Sequence, residues 1–267
     1  MIKFLGLLFI TLILSSCSSW KIENLTIYKS INIYKFFVYT ESTSNYIYFK
    51  DFENIEKNIR IFFNEKLELK LNEGMYKLAI LPLKNEVINF ASQGSTATCN
   101  PDEKLIILAD FYNFPKEIYE KYGEPPKDIL ITAFTHELTH CLTLWQNSFG
   151  FSGKMQEALA VFSSYIDFRN TDYKNFNTNS DLRNDLIRYY TKDRIELLLN
   201  SNLDLLEINN TRELDLFITY LHLSKKYDHF KEILFSIDIK DFKFKVNWSI
   251  LDTKDFINWI NITTAST

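Results

Sequence analysis

Four histidines occur in the 267 residues of this chain, and two of them, His136 and His140, stand four positions apart with Glu137 beside the first, in "HELTH". On an α-helix each residue turns by about 100°, so positions 136 and 140 lie on one face, about 40° apart. At that separation two imidazoles can grip a single zinc ion, with Zn–N bonds of about 2.0–2.1 Å. Glu137 points about 100° away from His136, where it can lean toward a water on the metal without being a ligand. The opposite arc carries Ile131, Phe134, Leu138, Cys141, Leu142 and Trp145, so such a helix would be packed behind and open in front. The bland alternative, two histidines of an amphipathic helix, leaves Glu137 and a second glutamate downstream unexplained.

That second glutamate is Glu157. "QNSFGFSG" (146–153) is a turn-rich stop, and "KMQEALAVFSSY" then resumes helical spacing, with sixteen residues between His140 and Glu157. A helix, a short turn and an antiparallel second helix bring this carboxylate back beside the imidazoles. Its neighbours Ala158, Leu159, Ala160 and Val161 are apolar, a setting in which an unpaired charge is costly.

At these residues the chain resembles the gluzincin metallopeptidases, the group that includes thermolysin and the zinc aminopeptidases. "HELTH" matches their His-Glu-x-x-His helix, and "QEALA" matches their glutamate-bearing second helix at Glu157 and Ala160, with Gln156 where Asn is common. The resemblance implies zinc, one ion per chain, held by His136, His140 and Glu157. It also implies hydrolysis of a peptide or protein substrate by a zinc-activated water, with Glu137 as general base passing the proton to the leaving amine. In the family an edge strand just upstream of the metal helix pairs with an extended substrate, and "LIILAD" (105–110) occupies that place. Gln146, where a third histidine would stand, excludes the metzincin branch. Val161 replaces the aspartate that orients a ligand in thermolysin-type sites, and Thr211 stands where an oxyanion-stabilising tyrosine aligns. The candidates for that role are Tyr165, Tyr220, His222 and His229. Asp167 is the alternative third ligand. The competing functional reading is a lipoprotein that keeps the fold without catalysis and acts as a binding or structural module.

Positioning these residues requires an α+β architecture, with a mixed sheet in the first half and helices in the second. Residues 22–39 are rich in Ile, Tyr and Phe and read as strands. Residues 51–69 carry apolar side chains at helical spacing. "YKLAILPL" (76–83) and "LIILAD" (105–110) read as strands, with a polar loop, "NFASQGSTATCNPDEK", between them. Helices are expected over 127–145, 154–170, 181–200, 211–236 and 251–260, the last capped by Thr253 or Asp252. Residues 17–267 then form one domain, with a sheet-containing part to about 125 and a helical part from about 126.

The first residues have a different character. In "MIKFLGLLFITLILSSCSSW", Lys3 precedes an apolar run too short to cross a bilayer and suited to a signal peptide (1–16). "LSSC" resembles the lipobox of bacterial lipoproteins, which implies lipid on Cys17 and a membrane anchor on the periplasmic or extracellular side, since several acyl chains hold firmly where one does not. Cys99 and Cys141 either pair as a disulfide in that compartment or lie buried as small apolar side chains. The net charge is −4, with Lys and Arg scattered, so no basic stripe points to nucleic acid.

Overall fold

The computed structural model describes residues 30–33, 36–40, 49–72, 74, 76–81, 97–100, 104–110, 120, 129–143, 153–173, 182–200, 205–208, 210–235 and 244–265. The expected signal peptide and Cys17 lie outside them, as do Trp145 and most of the turn at 146–153. Five strands form a mixed sheet: β1 (Ser30–Ile33), β2 (Phe36–Thr40), β3 (Tyr76–Leu81), β4 (Ala97–Asn100) and β5 (Leu105–Ala109), in the order β1-β2-β3-β5-β4. The pairs β2–β3 and β3–β5 are parallel, whereas β1–β2 and β4–β5 are antiparallel. Eight helices complete the described elements: α1 (Phe49–Leu67), α2 (Ile129–Thr143), α3 (Gly153–Tyr165), α4 (Leu182–Tyr189), α5 (Lys192–Asn200), α6 (Thr211–Leu223), α7 (Tyr227–Phe235) and α8 (Ile250–Ala265). A small antiparallel ribbon, β6 (Leu205–Ile208) with β7 (Phe244–Asn247), lies among the later helices. The α+β class holds. Among the described residues no helix is long and apolar enough to cross a membrane.

Two expectations about the sheet are corrected. The segment 89–104 was expected to be a loop, yet its residues 97–100 form β4, paired in register from Ala97↔Leu108 to Asn100↔Leu105. The strand at 105–109 is consequently interior, between β3 and β4, and β4 takes the edge of the sheet among the described residues. The residue types of β5 agree with this. "LIILA" is buried along its whole length, as a strand flanked and covered on both faces must be, and it shows no alternation.

One apolar core runs from this sheet through α1, α2 and α3 and on into α4, α6, α7 and α8. Ile55, Ile59, Phe62 and Phe63 of α1 recur at helical spacing and are fully buried. Phe52 meets Phe134 of α2 with ring centroids 4.3 Å apart. Helix α2 is apolar behind, where Leu130, Ile131, Phe134, Leu138, Cys141 and Leu142 are all buried. It also carries a buried row of threonines. Thr135, Thr139 and Thr143 donate to the carbonyls of Ile131, Thr135 and Thr139 at 2.8, 2.9 and 2.7 Å. Each hydroxyl is thereby satisfied four residues back, so the row can be buried without leaving an unpaired donor.

Two long helices expected from the sequence are each divided. The stretch 181–200 breaks at Tyr190–Thr191, where the Thr191 hydroxyl accepts from the N–H of Arg194 to start α5. The stretch 211–236 breaks at Lys225, which is left-handed (φ 57°); the N–H of Lys226 returns to the Leu221 carbonyl and that of Lys225 to His222. This is a Schellman ending without the usual glycine. The last helix starts at Ser249, not at Asp252 or Thr253: the Ser249 hydroxyl accepts from the Asp252 N–H, and the Asp252 carboxylate accepts from the Ser249 N–H.

Candidate metal centre

Helix α2 packs along α3, and this pairing brings His136, His140 and Glu157 together. The two Nε2 atoms are 3.1 Å apart. Glu157 Oε2 lies 3.3 Å from His140 Nε2 and 3.8 Å from His136 Nε2. Tetrahedral coordination with bonds of about 2.0–2.1 Å sets neighbouring donors about 3.3–3.4 Å apart. The three observed separations bracket that spacing, so these side chains fit a single metal ion. Among the described residues this is the one cluster of three His, Cys, Asp or Glu side chains close enough to hold a cation. Two nitrogens and one oxygen suit zinc and other first-row divalent ions alike.

The electrostatics fit the same use. Burial, and then the neighbouring His140, push His136 down to about 4, so its imidazole is neutral at physiological pH. Glu157 is held below the usual carboxylate range, first by its hydrogen bond with His140 and then by the charges around it, against the effect of burial. It is about half exposed, and the histidines are more enclosed, so the centre opens on the Glu157 side. Metal binding needs neutral imidazole and ionised carboxylate.

Glu137 is buried beside this centre and is not one of the three converging groups. Burial pushes its carboxyl up to about 7, while His140 and a hydrogen bond from the Cys99 backbone pull it down. A carboxyl poised near neutrality accepts and returns a proton readily. Cys99 belongs to β4, and its sulfur is bonded to that of Cys141 on α2. The pairing left open by the sequence is therefore present. Cys141 is wholly buried, on the packed face of α2 and away from the histidines.

The oxyanion candidates are not among the three converging groups, and each has partners of its own. Tyr165 ends α3, is buried, and donates to Asp185 at 2.6 Å. Tyr220 packs among Phe217, Trp248, Phe256 and Trp259. His222 is enclosed by Phe62, Phe162 and Tyr227 and bonds the Tyr173 carbonyl. His229 sits over Trp248 and pairs with Glu232. Asp167, the alternative ligand, is taken up by Arg169, whose Nε lies 2.7 Å from it, and by Asn170.

The sequence reading missed Arg212. It stands in the first turn of α6, which packs on α3, and its charge acts on both His136 and Glu157. It pairs with Asp215 on the same helix. One signal was available, because Asn210 followed by Glu213 marks a helix start and a cation in a first turn opposes the helix dipole. Such a placement needs a compensating purpose.

The chain matches no family model, no curated protein and no solved structure.

Proposed function

We propose that the protein is a zinc-dependent peptidase, exported and anchored to a membrane through lipid on Cys17. The observation that carries this reading is the convergence of His136, His140 and Glu157 at the donor spacing of a tetrahedral ion, with the buried carboxyl of Glu137 alongside. A bound zinc ion supplies Lewis acidity, which polarises a carbonyl oxygen and lowers the pKa of a water to about 7.

This chain's own groups do the rest. His136, His140 and Glu157 hold the ion and leave one side open. Glu137 takes the proton from the attacking water and carries it to the leaving amine, a transfer worth about 10²–10⁴ in rate. Arg212, in place of the tyrosine or histidine sought in the sequence, supplies positive charge for the carbonyl oxygen as it becomes an oxyanion. Edge strand β4, not β5, offers its main chain to an extended substrate, which would give affinity with little sequence preference.

The test is elemental analysis of purified protein together with cleavage of a denatured protein. About one zinc per chain and turnover abolished by a chelator are the expected results. A protein that binds zinc stoichiometrically and cleaves nothing would leave only the metal site standing.

A further inference from the structure

The edge strand and the metal helix are joined covalently at one point. Cys99 is the third residue of β4, set opposite Ile106 of β5, and Cys141 follows the ligand His140 directly. Their Cα atoms are 5.8 Å apart, bridged by the disulfide. The same residue of β4 makes a second link to α2, through its backbone N–H to the carboxylate of Glu137. Thus one residue of the edge strand holds both the turn of α2 after the second histidine and the carboxylate between the two histidines.

Among the described residues this disulfide is the covalent tie of β4 to the helices. The strand is only four residues long and pairs on one side within the described sheet, so its ladder alone is a weak anchor. A buried carboxylate, in turn, has few rotamers and needs a fixed donor to choose among them.

We propose that the Cys99–Cys141 disulfide is a positioning device for Glu137: it holds the β4 main chain where the Cys99 N–H orients the carboxylate, one oxygen being engaged and the other left for the proton transfer. Neither sulfur has a chemical part, and Cys99 acts on the base only through its main-chain N–H. The proposal rests on the reading of Glu137 as general base, and it also makes a claim about the metal-free protein.

The first arm therefore needs no catalysis. In metal-free protein, amide hydrogen exchange is followed at position 99, with Ile106 to Leu108 of β5 as the control for an intact sheet. The Cys99 amide is expected to exchange slowly in the parent. It should exchange on the order of tenfold faster or more in Glu137→Ala, which keeps the bridge and removes the acceptor, and likewise in Cys141→Ser, which keeps the acceptor and removes the bridge. If Cys141→Ser does not fold, the comparison is made on the pair Cys99→Ala with Cys141→Ala, whose methyl groups remain in the apolar space. Unchanged exchange at position 99 in either kind of variant, with β5 still protected, overturns the proposal.

The second arm uses protein carrying one zinc per chain. Loss of the bridge should lower kcat on the order of tenfold to a hundredfold, with KM and zinc content unchanged, because a misplaced base impairs the chemical step and not binding. A bridge that serves only stability would leave kcat of the folded fraction unaltered, and that outcome also overturns the proposal. If the zinc-loaded parent cleaves no denatured protein, the hydrolytic reading falls, and the exchange arm still decides the clamp.

Discussion

Asp215 is completely enclosed, with one carboxylate oxygen 3.4 Å from Nη1 of Arg212 and the other without a hydrogen-bond partner among the described residues. Burial pushes this carboxyl well above the usual carboxylate range, against the pull of the guanidinium. Such a buried carboxyl is costly unless it is paired, and the pairing restrains its partner. What it holds is Arg212, whose side chain is nearly half exposed and whose charge reaches the candidate metal ligands. Arg212→Ala should leave zinc content near one per chain and lower kcat on the order of 10²–10³, as removal of one preorganised donor does elsewhere. Arg212→Lys should fall between, since the charge survives without the planar fork. Steady-state kinetics on metal-checked samples decide the matter, and an unaltered kcat in the alanine variant would remove Arg212 from the mechanism.

The two glutamates of the site have different expected roles, and only paired measurement separates them. On the proposed reading, Glu157→Ala removes one of three ligands and should weaken zinc binding strongly. Glu137→Gln preserves shape and ligands but cannot accept a proton, so it should keep about one zinc per chain and lose about 10²–10⁴ in rate. Full zinc in Glu157→Ala would mean that the third ligand lies elsewhere. Undiminished cleavage by Glu137→Gln would end the hydrolytic reading.

The candidate triad His136, His140 and Glu157 was legible because helix geometry is periodic, and four residues on a helix return to one face. Strand β4 was not, because "ATCN" is short and sits in a polar setting, and what makes it a strand is pairing with β5. What the sequence did not show of Arg212 was its neighbourhood. Its nearness to α3 is a product of tertiary packing between helices far apart in sequence. The breaks at Thr191 and Lys225 were hidden because neither carries a glycine or proline, the residues from which a helix end is usually read.

Lys225 offers a test of that last point. It adopts φ 57° directly after α6, a conformation that disfavours a Cβ by about 1–2 kcal/mol. Glycine has no such penalty, although its greater freedom in the unfolded chain takes back part of the gain. Lys225→Gly should therefore raise stability by roughly 0.5–1 kcal/mol. Denaturant unfolding at neutral pH would show it as a higher midpoint with an unchanged slope. A lower midpoint would mean that Lys225 makes a contact worth more than the strain.

The start of α8 should make stability depend on acidity. Burial alone would raise the Asp252 carboxyl, but bonds from the Lys226 ammonium, the Ser249 hydroxyl and the Ser249 N–H outweigh it and hold it at about 2, below its ordinary 3.8. A depressed carboxylate stabilises the folded state fully above the unfolded pKa, and that contribution disappears as pH falls through the folded one. The window is thus about pH 4 down to about 2. Because the side chain is partly open to solvent, the ion pair itself is worth at most about 1 kcal/mol, and the capping box adds about another. Asp252→Ala should accordingly cost about 1–2 kcal/mol at pH 7. The gap between variant and parent should narrow as pH falls from 4 toward 2, since the parent then loses the carboxylate that the variant never had. Raising the pH from 5 to 8 should leave the gap unchanged. Chemical denaturation of both proteins at stepped pH would measure it, and a gap that stays constant down to pH 2 would show that the Asp252 carboxylate is not held by Lys226 and Ser249 in solution.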